Sequence, residues 1–124
     1  MSVRDFIKRG MIEGESETLD RGSCIFRQGE EVSFFYLVTQ GRVALTDYTT
    51  GKDEQAVAPP DYLLGITDLL HDTYSFTAYT LEHTELIRIK REAIKKALHE
   101  NPMLRLYLLK MMSWEASLTN TAFE

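Results

Sequence analysis

The sequence predicts a mainly β domain that closes into a roll and carries its helices at the C-terminal end. Two patterns predict it. From Leu19 to Ile89, short runs rich in aromatic and β-branched residues alternate with glycine- and proline-bearing turns. After Lys90, apolar residues recur at helical spacing instead. Many strands followed by two helices argue for a closed roll with helices on one side. The chain has 124 residues, 44% of them hydrophobic, enough for one real core. A single domain over 1–124 is therefore expected, with the roll at about 18–90 and the helices at about 91–120.

The elements follow in order. Residues 5–13 are weakly helical at most, because Gly10 and Gly14 limit any helix there. Cys24-Ile25-Phe26 reads as a strand leading to the polar turn Gln28-Gly29-Glu30-Glu31, and Cys24 is expected to be buried in it. Phe34-Phe35-Tyr36-Leu37-Val38 is a second strand, ended by a tight turn at Gln40-Gly41. In the next strand Val43, Leu45 and Asp47 share one face, with Ala44, Thr46 and Tyr48 on the other. Thr50-Gly51-Lys52 reads as a hairpin turn, and Pro59-Pro60-Asp61 ends the strand after it. Ser75 to Leu81 and Glu85 to Ile89 complete the sheets. Ile94, Ala97 and Leu98 mark a first helix. Asn101-Pro102 reads as an N-cap with proline at the first helical position of a second one. Its broad stripe runs through Leu104, Tyr107, Leu108, Met111, Met112, Glu115 and Leu118.

Composition narrows the function classes. A net charge of −5 argues against direct contact with a nucleic-acid backbone, which needs clustered cations. The densest basic stretch, Arg88, Lys90, Arg91, Lys95 and Lys96, reads as a solvated helix face. No apolar run reaches the roughly 18 residues of a membrane span, and no secretory signal opens the chain. With a lone Cys24, the expected location is the cytoplasm. His71, His83 and His99 lack metal-ligand spacing, and the His-x-His pair of a metal-binding cupin is missing. No serine sits in a Gly-x-Ser-x-Gly elbow. A non-enzymatic chain without cofactor is the expectation.

Several segments carry a resemblance. Leu19-Asp20-Arg21-Gly22-Ser23-Cys24-Ile25-Phe26-Arg27-Gln28-Gly29-Glu30 resembles the opening strand of cyclic-nucleotide-binding domains. Phe35-Tyr36-Leu37-Val38-Thr39-Gln40-Gly41-Arg42-Val43 continues the likeness. Pro59-Pro60-Asp61-Tyr62-Leu63-Leu64-Gly65 is similar to the family's approach to its phosphate cassette, and Glu85-Leu86-Ile87-Arg88-Ile89 to the strand before its B helix. The likeness spans roughly residues 18 to 115 and implies the family's jelly-roll, a double-stranded β-helix. It points to the effector half of catabolite-activator/FNR-like transcription regulators.

The same resemblance locates a departure. In the family a glutamate that binds the ribose directly follows the cassette glycine, and an arginine that pairs with the phosphate lies ten residues after it. Here Gly65 is followed by Ile66, and Ser75 stands at the arginine's place. Losing a charge-assisted bond costs about 1.5–3 kcal/mol, and the ribose bond about another 1 kcal/mol. That is roughly a hundredfold or more in affinity, so tight cyclic AMP or cyclic GMP binding is not expected. Arg88 is expected to face solvent. The cassette residues Gly65, Ile66, Thr67, Ser75, Phe76 and Thr77 remain the candidate ligand site. Ile66 and Phe76, with Tyr79, favour an apolar or aromatic effector, and Ser75 and Thr77 offer hydrogen bonds. The rival reading is that these side chains fill a collapsed site.

In relatives the long C-terminal helix packs on its two-fold mate. The expected homodimer seam here is Leu104, Leu108, Met111, Glu115 and Leu118, and because Tyr107 and Met112 widen the apolar surface the stripe is expected to cover the chain's own roll as well. The expectation is thus a non-catalytic sensor domain with an effector other than an ordinary cyclic nucleotide. The alternative is a ligand-free dimerisation or protein-interaction module on the same scaffold.

Overall fold

The computed structural model describes residues 2–50, 55–59 and 61–121, the side chains of Thr50, Met111 and 114–121 excepted. Helix α1 (Val3–Lys8) opens the chain, followed by strands β1 (Glu15–Leu19), β2 (Cys24–Phe26), β3 (Phe34–Gln40), β4 (Val43–Thr46), β5 (Gln55–Val57), β6 (Leu63–Leu64), β7 (Thr77–Thr80) and β8 (Thr84–Lys90). Helices α2 (Arg91–Glu100) and α3 (Pro102–Thr121) close it. Two four-stranded antiparallel sheets, ordered β1-β8-β3-β6 and β2-β7-β4-β5, face each other as a roll.

Local chemistry accounts for most boundaries. Helix α1 starts earlier than the sequence suggests because Ser2 and Asp5 form a reciprocal capping box: the Ser2 N–H donates to the Asp5 carboxylate (2.9 Å) and the Asp5 N–H to Ser2 Oγ (3.4 Å). It ends before Gly10. Gly41 has φ +104° in the tight turn between β3 and β4.

Three local expectations are corrected. Cys24 is exposed, because β2 is an edge strand and Cys24 pairs with Tyr79 on the face turned from the core. Asn101 does not cap α3 with its side chain. Its Nδ2 donates to Ala97 O (3.0 Å), so it finishes α2. Strand β4 stops at Thr46 and is buried on both faces, so Asp47 and Tyr48, expected to continue it, lie beyond its end. Gly51, Lys52 and Pro60 lie outside the described residues.

The core joins the roll to the helices. Phe35, Leu37, Leu63, Leu64, Ile66, Leu86 and Ile89 from the sheets pack with Phe6, Ile94, Leu104 and Leu108 from the helices. Leu104 and Leu108 are 0% and 1% exposed, so this part of the expected dimer seam serves the chain's own core. Among the described residues, the large apolar side chains that α3 leaves in solvent are Met103, Leu106 and Leu109. Met111, Glu115 and Leu118 of the same expected seam lie outside the described side chains.

Leu104→Ala is expected to cost about 2–5 kcal/mol of unfolding free energy in urea titration, as large-to-small core changes do. Leu70→Ala, at a side chain 82% exposed, should stay within about 0.5 kcal/mol. Equal costs would contradict the inward placement of Leu104.

Candidate functional site

The loop between β6 and β7 turns on one glycine. Gly65 has φ +89°, and a Cβ there would lie 3.1 Å from Tyr74 Cε1 and 3.2 Å from Phe35 Cδ1. Only glycine meets both demands. A single 3-10 turn, Ile66–Asp68, follows, and it carries the Asp68 carboxylate into the loop, where its side chain is 2% exposed.

The loop itself satisfies that carboxylate. Asp68 accepts from the Ser75 N–H (Oδ2, 2.8 Å) and from the Ser75 hydroxyl (Oδ1, 2.5 Å), and His71 Nδ1 lies 2.8 Å from Oδ1. Hydrogen bonds to an ionised acceptor are among the stronger ones, which offsets the cost of taking the charge out of water. Ser75 therefore spends its backbone N–H and its hydroxyl on an internal anion. A cyclic phosphate entering here would meet a like charge.

Rings fill the adjoining interior. Tyr74, which covers Gly65, stacks on Phe26 with centroids 4.0 Å apart, and Phe26 stacks on Tyr36 at 5.9 Å. The Tyr74 hydroxyl donates to Phe34 O (2.5 Å) and accepts from the Phe34 N–H (3.3 Å). Burial pushes the Tyr36 phenol up to about 12, and burial raises the Tyr74 phenol as well.

Outside the loop, Arg91 holds its exit. The guanidinium Nε and Nη2 donate to Leu69 O (3.0 and 2.6 Å), and Nη1 donates to Val32 O (3.4 Å). Arg91 is thus a structural clamp, unlike the solvated face expected for its basic stretch. Helix α3 packs directly on the Ile66–Asp68 turn.

The candidate residues separate into two groups. Gly65, Ile66, Thr67, Ser75 and Phe76 belong to the loop and its flank, with Ile66 and Phe76 buried and Thr67 half-buried. Thr77 and Tyr79 do not join them. Alternation along β7 turns both to the opposite face from Ala78, into an outer cleft of about 710 Å³ shared with Cys24 and Tyr48. There Thr77 Oγ1 accepts from the Gln28 N–H (3.0 Å). Arg88 is not free in solvent either. It pairs with Glu15 (2.6 Å) and Glu17 (3.3 Å) and lies 4.7 Å over the Phe34 ring. Among the described residues, no three His, Cys, Asp or Glu side chains gather as a metal site.

Sequence reasoning missed Asp68, Tyr74 and Arg91. One signal for Asp68 was present: it is a lone acid between Leu63-Leu64 and Leu69-Leu70, and an acid in an apolar stretch needs a partner when buried.

Comparison with known proteins agrees with this geometry. The family model for the cyclic nucleotide-binding domain matches residues 16–101. The chain belongs to that family. Within it, this CRP/FNR-like domain is 31% identical over 116 residues to the transcriptional activator protein FnrA of Stutzerimonas stutzeri, covering 92% of the chain and 45% of FnrA. The domain thus spans about half the length of the transcriptional activators it matches. In fold it is similar to the sensor domain of the transcriptional regulator DNR from Pseudomonas aeruginosa (TM-score 0.72, 23% identity, 88% of this chain and 80% of that one). It is likewise similar to the catabolite activator protein of Thermus thermophilus (TM-score 0.76, 22% identity, 96% and 57%). Among the described residues no helix is long and apolar enough to cross a membrane.

The buried phenol sets a pH dependence. An unfolded tyrosine ionises near about 10, whereas folded Tyr36 holds its proton up to about 12. The folded state thus binds a proton that the unfolded state has lost. Its contribution to stability is full below about pH 10 and disappears as pH rises through about 12. Urea titrations across this interval are expected to show the fall, and Tyr36→Phe to flatten it. Equal slopes in the two proteins would refute the assignment.

Proposed function

We propose that the chain is the non-catalytic sensory domain of a CRP/FNR-like transcription regulator, and that neither cyclic AMP nor cyclic GMP is its tight effector. One observation carries the second half: the Asp68 carboxylate, buried in the cassette loop, takes both donors of Ser75. The ribose-binding glutamate is replaced by Ile66, which is fully buried and presents no acceptor. The family match and the kinship with transcriptional activators support the regulatory role. The rival reading, a ligand-free dimerisation or protein-interaction module, is favoured by the ring stack that occupies the space beside Gly65.

Isothermal calorimetry with cyclic AMP and cyclic GMP is expected to give no submicromolar binding. A dissociation constant in that range for either nucleotide would overturn the proposal.

Self-association belongs to the same reading. Met103, Leu106 and Leu109 lie 64%, 58% and 56% exposed on α3, and a second copy of the helix would cover them. Light scattering after gel filtration should show a dimer. The double change Leu106→Glu and Leu109→Glu should give a folded monomer. A wild-type chain that stays monomeric at high micromolar concentration would disprove this role for α3.

A further inference from the structure

A second cleft is lined by Phe34, whose ring lies 6.4 Å from that of Tyr36. It has a volume of about 500 Å³ and sits between the N-terminal segment, the β3–β8 pair and α2. Ile7, Ile12, Phe34 and Ala93 supply its apolar surface. This is the size and character of a site for a small organic molecule. Gly14 keeps one wall tight against β8, since a Cβ there would come within 2.4 Å of Ile87 Cγ2.

The charges on its rim are unequal in what they have left to offer. Arg88 is neutralised by Glu15 and Glu17 and covers the Phe34 ring, so it forms a wall. Lys90, directly across the β3–β8 ladder from Phe34, has no carboxylate partner among the described residues. Glu13, next to the wall glycine Gly14 that packs on β8, has no cation partner among them. An apolar surface with one unspent cation and one unspent anion complements an amphipathic zwitterion.

We propose that this cleft binds an apolar or aromatic α-amino acid. Its side chain would lie on Ile7, Ile12, Phe34 and Ala93, its carboxylate would pair with Lys90, and its ammonium with Glu13. Phe34 joins the cleft to the cassette, because its backbone N–H and C=O both bond the Tyr74 hydroxyl and the Tyr74 ring covers Gly65. The inference names the effector of the sensory role proposed above and rests on that reading for its meaning. Its test is separate from the cyclic-nucleotide titration, so either can fail alone.

Thermal-shift and calorimetric titrations of the 124-residue chain with L-phenylalanine, L-leucine and L-tryptophan test it directly. At least one should raise the melting temperature and give a saturable isotherm. 3-Phenylpropionate, lacking the ammonium, and phenethylamine, lacking the carboxylate, should each bind at least about tenfold more weakly than phenylalanine, a difference of about 1.4 kcal/mol. Lys90→Gln and Glu13→Gln change exposed side chains and should leave the unliganded melting temperature close to wild type while weakening binding by a similar factor. No shift with any of the three amino acids, or equal binding by the two variants or by the two truncated analogues, would overturn the proposal.

Discussion

The buried carboxylate of Asp68 is the interaction on which the rest of this structure is arranged. A charge at 2% side-chain exposure is tolerated only where donors surround it. The chain supplies them from within a few residues: the Ser75 N–H and hydroxyl, with His71 Nδ1 alongside. That requirement shapes the loop. The 3-10 turn after Gly65 brings Asp68 inward, and the peptide from His71 to Ser75 must return to meet it. Removing either partner would strand a buried polar group, which costs more than a typical hydrogen bond contributes.

Two further contacts depend on the loop holding that shape. Arg91, at the first position of α2, can reach Leu69 O only because the turn presents that carbonyl outward. Helix α3 lies on the turn, with Leu104 and Leu108 packed into the core beneath it. In a family whose loop grips a phosphate, such a helix would sense whether the loop is filled. Here the loop carries an anion of its own, Asp68, and α3 packs on the turn that bears it. The rings tie the same loop to β3: Tyr74 lies against Gly65 with its ring edge and donates its hydroxyl to Phe34 O.

Helix α3 is apolar on more than one side. The face bearing Leu104 and Leu108 is consumed by the roll, whereas Met103, Leu106 and Leu109 remain in water. Of the stripe visible in the sequence, Leu104 and Leu108 therefore serve the first of its two expected uses, covering the chain's own roll. Periodicity locates an apolar face and leaves open whether the same chain or another copy covers it. Strand β7 shows the same limit. Phe76 and Thr77 look like neighbours in one pocket, yet Phe76, just before the strand, packs in the core cluster while Thr77, its first residue, lines the outer cleft.

Much of the architecture was legible in the residues themselves. The change from strand to helix near Lys90 and the turn at Gly41 follow from local chemistry and spacing, while the resemblance to the family implied the cassette glycine at 65 and the loss of both polar anchors at Ile66 and Ser75. What tertiary structure alone decided was how donors and acceptors distant in space or facing are matched. Asp68 became the anion of its own loop, Arg91 its clamp, and Arg88 the partner of Glu15 across sheet neighbours far apart in the chain. Backbone preference acts between adjacent residues and can be read in order. The satisfaction of a buried charge depends on which groups the closed roll brings together, and no single segment contains that information.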